Sequence, residues 1–238
     1  MAPGHVLHDV LPEQQQVCRP NEIPLLKPDL AAPGRALPVT MVDDPEMPKD
    51  TQRRFLDRVR DQALRLSALV TDLLSLARIE ANEGRSERTL LDLRPRMREG
   101  VARFGDVAAR KQLGLSLELP DEACTVLADE ESLRQILDNL LDNACKYTPE
   151  GGRVCARLLR LPGELRLEVE DTGIGIEPAD QARVFERFYR VDKARSRDLG
   201  GTGLGLSIVK HLASSLGGSV SIESAPGRGS TFRVHFPA

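Results

Sequence analysis

A chain of 238 residues, 40% hydrophobic and 29% charged, has material for one good core and a smaller appendage. A net charge of -3, basic residues interspersed with acids and only 3% aromatic side chains argue against a nucleic-acid surface. Four cysteines (Cys18, Cys124, Cys145, Cys155) without C-x-x-C spacing argue against zinc and against a disulfide framework. No apolar run reaches the ~18 residues of a membrane span and no signal peptide opens the chain, so the expectation is a soluble, cytoplasmic protein.

Residues 1–50 hold nine of the 16 prolines and show no sustained period, which predicts a poorly ordered lead-in. From Gln52 to Glu80 the period changes. Leu56, Ala63, Val70 and Ala77 recur every seven residues, with Val59, Leu66 and Leu73 interleaved and charged residues on the other face. This predicts a long amphipathic helix, capped by Asp50 or Thr51, with a seam suited to other helices. After a loop at Asn82–Gly84 the alternation predicts strands at 89–93, 113–119 and 126–128, with a helix over 97–110 between the first two. Asp129 is a plausible N-cap for a polar helix running to Thr148. Strands follow at 153–160 and 164–170, then helices at 178–186 and 204–216, and strands at 218–224 and 230–236. The expected fold is an α/β two-layer sandwich, a mixed and mostly antiparallel sheet covered on one face by helices and preceded by the long helix.

The polar helix carries the first chemistry. Asn139 and Asn143 are four apart and share a face, with Lys146 three further on. A carboxamide oxygen is a hard ligand suited to Mg²⁺, and a lysine supplies charge for phosphate. Asparagine is also common on solvated faces, and this helix alone leaves both readings open. Three glycine segments then follow in order. Asp171-Thr-Gly173-Ile-Gly175 ends an alternating strand, placing a carboxylate where it can accept from an adenine amino group. Gly201-Thr202-Gly203-Leu204-Gly205 opens a helix whose free amides favour phosphate, and Gly227-Arg-Gly229-Ser-Thr231 precedes the last strand. Neither a βαβ unit nor a G-x-x-x-x-G-K-[ST] run is present. Together the segments indicate a pocket for Mg–ATP.

With these motifs the chain resembles the catalytic, ATP-binding domain of sensor histidine kinases, within the group that includes DNA gyrase, the 90-kDa heat-shock chaperone and mismatch-repair ATPases. Asn139-Leu-Leu-Asp-Asn143-Ala-Cys-Lys146-Tyr147 is similar to the N box and Asp171-Thr-Gly-Ile-Gly175 to the G1 box. Phe185-Glu-Arg-Phe188-Tyr-Arg190 is similar to the F box, Gly201–Gly205 to the G2 box and Gly227–Thr231 to the last glycine box. The resemblance implies a Bergerat-type fold and a catalytic set of Asn139, Asn143 and Lys146. It implies Mg²⁺ on Asn143, nucleotide contacts from Lys146 and Tyr147, and adenine on Asp171 with Gly173 and Gly175 at the turn. It implies phosphates held by Arg190, Lys193 and the loop Gly201, Thr202, Gly203, Leu204, Gly205, and adds Thr231 to the nucleotide contacts. Phe185 and Phe188 are as readily lid packing as chemistry.

The organisation implied is a lead-in at 1–50, the second helix of a dimerisation and phosphotransfer hairpin at 51–83, and an ATP-binding domain at 88–238. Thr71-Asp-Leu-Leu74-Ser-Leu-Ala-Arg78 resembles that helix, so a homodimer or heterodimer through residues 52–80 is expected. The implied activity is transfer of the γ-phosphoryl group from Mg–ATP to a protein histidine, and from it to an aspartate of a response-regulator receiver domain. The acceptor is where the likeness stops. His211 and His235 fall in predicted elements and read as structural, while His5 and His8 lie in the lead-in. His8-Asp9-Val-Leu-Pro12 only echoes an acceptor motif, at the expected place Asn21 stands instead, and residues 24–48 carry six prolines. Sensor and membrane segments are not in the chain, so the expectation is a truncated product or a kinase acting on a histidine elsewhere. Two other readings stay open: a nucleotide-binding regulator that dimerises with an intact kinase, and a serine kinase of the anti-sigma type.

Overall fold

The computed structural model describes residues 48–81, 88–191 and 201–237. Two units partition the chain, Met1–Phe55 and Leu56–Ala238; of the first, the described part is the start of the long helix. That helix, α1, spans Lys49–Ala81, and its second residue, Asp50, places a negative charge at the positive helix end. Its seam residues Leu56, Val59, Leu66, Val70 and Leu73 stand 41–65% exposed. Near its end Leu76 is buried and Ile79 packs on the core of the second unit.

The second unit is two layers. Strands β1 (Thr89–Asp92) and β3 (Thr125–Ala128) pair antiparallel as a small sheet of their own. The main sheet has five strands: β2 (Gly114–Glu118), β4 (Arg153–Leu161), β5 (Glu164–Asp171), β6 (Ser219–Ala225) and β7 (Gly229–Pro237). Their order is β2-β4-β5-β7-β6, parallel only at β2–β4 and antiparallel elsewhere. Burial alternates along the central strands. Leu165, Leu167 and Val169 of β5 and Phe232, Val234 and Phe236 of β7 face the core. The intervening Glu164, Arg166, Arg233 and His235 carry ion pairs on the open face. His235 bonds Ser221 through Nε2 and Glu164 through Nδ1 there, as expected of a structural histidine.

The helices of the covering layer are α2 (Leu93–Arg103), α3 (Gly105–Arg110), α4 (Glu130–Tyr147), α5 (Pro178–Gln181) and α6 (Gly205–Ser215). Helix α4 organises the core. Asp129 caps it by accepting from Ser132 N–H at 2.9 Å, and it buries Leu133, Ile136, Leu137, Leu140, Leu141, Ala144 and Cys145. Each of these leucine and isoleucine side chains contributes roughly 1.5–3 kcal/mol when withdrawn from water. Three predicted boundaries shift. The first strand gives way to helix at Leu93, because Asp92 is an N-cap that accepts from Arg94 N–H. The helix expected over 97–110 is two helices, broken at Phe104, whose backbone sits near φ -91°, ψ 0°. The helix expected over 178–186 lasts only to Gln181. Gln181 Nε2 bonds the carbonyls of Ile176 and Ser224, and Asp180 takes the Tyr189 hydroxyl at 2.5 Å, so the segment is held in turns against β6. Among the described residues no helix is long and apolar enough to cross a membrane.

Candidate functional site

A cavity of about 270 Å³ opens between α4, the turn after β5, the start of α6 and one face of α1. Helix α4 supplies Asn139, Asn143, Lys146 and Tyr147 to its wall, so the carboxamide stripe faces the cavity rather than bulk solvent. Asn139 Nδ2 donates to the carbonyl of Gln135, one turn back, at 2.8 Å. That bond fixes the amide with its oxygen outward. A Cβ on Gly205 would lie 2.7 Å from this oxygen, so only glycine lets the first turn of α6 come so close.

The end of α4 is held from two sides. Lys111 Nζ donates to the carbonyls of Cys145 (2.6 Å), Lys146 (3.2 Å) and Thr148 (2.8 Å), groups that the helix cannot satisfy internally. The free carbonyl of Tyr147 takes Ile174 N–H at 3.3 Å, which stitches the glycine turn of 171–175 to the helix. Gly175 sits at φ +70°, where a side chain would run into the Ala225 carbonyl. The segment 227–229 completes the seam, since Gly227 N–H donates to Ile174 O at 2.8 Å. The last glycine segment therefore buttresses the first.

Asp171 ends β5 as a buried carboxylate and lines the cavity. Burial pushes its pKa up to about 6, against the opposing pull of the Gly173 and Ser230 backbone N–H groups; the first donates at 2.7 Å. Around it Ile176, Val184 and Phe232 give an apolar wall, with Phe185 packed edge-on to Phe232 at 6.3 Å. Cations complete the site. Arg190 lines the cavity with Nε and Nη2 buried and without a partner among the described residues, and Lys146 pairs with Asp142 Oδ2 at 2.5 Å. Two orphaned guanidinium donors in a cavity wall are a cost unless an anion meets them.

Of the residues expected from sequence, Asn139, Asn143, Lys146, Tyr147, Asp171, Gly175, Arg190, Gly201, Thr202, Gly203 and Gly205 line one cavity. Three do not. Gly173 lies behind it, donating to Asp171, and Leu204 is fully buried at the start of α6. Thr231 falls between Ser230 and Phe232, and strand alternation gives those two neighbours the cavity side. Lys193 and His8 lie outside the described residues. Phe188 is exposed, at φ 62°, with its N–H on Gly203 O at 2.9 Å. Sequence reasoning did not single out Asp72, Asp142, Tyr189 and Ser230, although each stands inside a motif that it quoted.

The donor set fits a hard cation with a polyphosphate. The carboxamides of Asn139 and Asn143 line a cavity that also holds a lysine, a guanidinium unpaired among the described residues and a helix N-terminus. Among the described residues no three His, Cys, Asp or Glu side chains form a metal cluster, so a cation here would rely on amide and ligand oxygens.

Residues 128–238 match the family described as histidine kinase-, DNA gyrase B-, and HSP90-like ATPase. The chain is 40% identical over 195 residues to the sensor-like histidine kinase SenX3 of Mycolicibacterium smegmatis, covering 82% of this chain and 50% of that protein. The mycobacterial sensor histidine kinase MprB is similar in structure, at 31% identity and TM-score 0.52, covering 63% of this chain and 97% of that one. Full-length ShkA in complex with AMPPNP aligns at 33% identity and TM-score 0.66, over 79% of this chain and 39% of that one. The chain spans about half the length of the SenX3 protein it matches.

Proposed function

This chain belongs to the sensor histidine kinases of that ATPase family, and on this premise we propose that its cavity binds Mg–ATP and donates the γ-phosphoryl group to a protein histidine. A response-regulator aspartate is the next acceptor in this reading, in the cytoplasm where ATP is supplied. The observation that carries it is the Arg190 guanidinium, buried in the cavity wall with two donors unpaired.

The residues divide the work. Asp171 accepts from the adenine amino group, which its ionised form above about pH 6 does best, and the Ile176, Val184 and Phe232 wall takes the base out of water. Asn143, with Asn139 beside it, holds the metal through amide oxygens. When bound, Mg²⁺ neutralises charge on the phosphate oxygens. Lys146, Arg190 and the amides at the start of α6 orient the phosphates, and Thr202 and Gly203 shape the loop over them. Lys193 and Tyr147 are further nucleotide contacts in this proposal. Residues 88–238 form the catalytic domain and 51–83 a bundle helix, through which two copies, or one copy and an intact kinase, associate.

The test is incubation with radiolabelled ATP and Mg²⁺, with and without a fragment bearing an intact acceptor histidine. Acid-labile, base-stable label on the fragment is the expected result, and Asn143→Ala should abolish both label and nucleotide binding. Label absent despite bound ATP would leave a nucleotide-binding regulator. An Asn143→Ala chain that bound Mg–ATP at wild-type strength would overturn the placement of the site.

A further inference from the structure

Helix α1 reaches into the glycine loop. Thr202 Oγ1 donates to Asp72 Oδ2 at 2.6 Å and accepts, at 3.3 Å, from the N–H of Leu204. Leu204 is the cap of α6 and has no side-chain bond of its own to give that helix. Asp72 and Ala68, one turn apart on α1, stand in the cavity wall with Arg190 and Lys146. Two physical facts follow. A threonine hydroxyl has one proton, and a proton given to Asp72 is not available to a phosphate oxygen. Asp72 also sets a carboxylate close to the mouth of a helix whose free amides attract anions. Of the other two acids in the wall, Asp142 is paired with Lys146 and Asp171 is buried on the Gly173 N–H, whereas Asp72 meets a neutral hydroxyl.

We propose that the Asp72–Thr202 pair is a latch that sets the seating of α1 against the binding of a polyphosphate, so that a nucleoside triphosphate enters at the cost of this bond. The inference rests on the reading of the cavity as a nucleotide site and adds its regulation. Coupling of this kind is reciprocal: bound nucleotide loosens α1 from the glycine loop, and whatever holds α1 in place weakens nucleotide. Because the opposition is between charges, it grows with the charge of the ligand. Adenosine is indifferent to Asp72, ADP is opposed by it and ATP most of all.

The experiment is calorimetric titration of the whole 238-residue chain with Mg–ATP, Mg–ADP and adenosine, in the wild type, Asp72→Asn and Asp72→Ala. Asp72→Asn keeps an acceptor for Thr202 and removes only the charge, so it isolates the electrostatic part. The expected result is ATP affinity raised about tenfold in both variants, ADP affinity raised less and adenosine affinity unchanged. Amide hydrogen exchange without nucleotide should also quicken at residues 202–204 in Asp72→Ala. Wild type that binds ATP, with variants that bind it no tighter, would overturn this inference alone. Failure of wild type and variants alike to bind any adenine nucleotide would overturn the proposed function, and this inference with it.

Discussion

At the scale of residues, Asp171 is the side chain whose chemistry pulls hardest against its surroundings. Burial raises its pKa from an ordinary 3.8 to about 6, so the folded state prefers the protonated form. The sign follows from linkage. The folded chain is relatively favoured below about pH 4, and this advantage is lost as pH rises through about 6, where the buried group must ionise. At neutral pH the strain is at most roughly 3 kcal/mol, and in the proposed function an amino donor on the bound base would offset it. Asp171→Asn should therefore stabilise the nucleotide-free chain at pH 8 in urea denaturation, with a gain that shrinks at pH 5. It should weaken ATP binding about ten- to hundredfold through the lost charged hydrogen bond. A gain independent of pH would refute the burial argument. Asp171 was legible because alternation runs straight into D-x-G-x-G. Thr231 misled because a strand puts neighbours on opposite faces, so Ser230 has the position. Asp72 was not legible, since its bond to Thr202 spans 130 residues.

At the scale of elements, α4 and α6 face each other across one oxygen, that of Asn139. A methyl group at Gly205 would sit 2.7 Å from it, yet alanine favours a helix over glycine by about 1 kcal/mol. Gly205→Ala should thus separate the two properties: a melting temperature within a few degrees of wild type, with Mg–ATP affinity reduced at least tenfold by calorimetry. A variant that melts early and binds normally would show that the contact is packing alone. Lys111 is the opposite case. It touches no ligand but holds three carbonyls at the end of the same helix, and Lys111→Met should cost about 1–3 kcal/mol in urea denaturation. Helix α4 itself was legible from Asp129 and its apolar spacing. Its staple was not, because a lysine 34 residues upstream of Cys145 gives no local sign of where its stem leads. The early end of α5 was hidden for the same reason, since Gln181 bonds the Ser224 carbonyl in a strand 43 residues away.

At the scale of the whole molecule, hairpins β4–β5 and β6–β7 follow from adjacent alternating runs, while the β5–β7 pairing and the parallel β2–β4 edge join strands far apart in sequence. The seam of α1 was visible as a heptad and remains unspent in the structure. Leu56, Val59, Leu66, Val70 and Leu73 stand 41–65% exposed along a helix of 33 residues, a stripe that water alone does not favour. A second copy of the helix covers such a seam by presenting the same residues to it. The chain should therefore sediment as a dimer at tens of micromolar. Leu66→Glu, which places a charge in the middle of the seam, should shift it to monomer while leaving ATP binding and the melting of the two-layer unit near wild type. Val59→Glu should do the same one heptad earlier. A wild-type chain that sediments as a monomer at these concentrations would mean that the seam waits for a different helix. In that case mixing with an intact histidine hairpin, followed by sedimentation, should form the heterodimer that the monomer lacks.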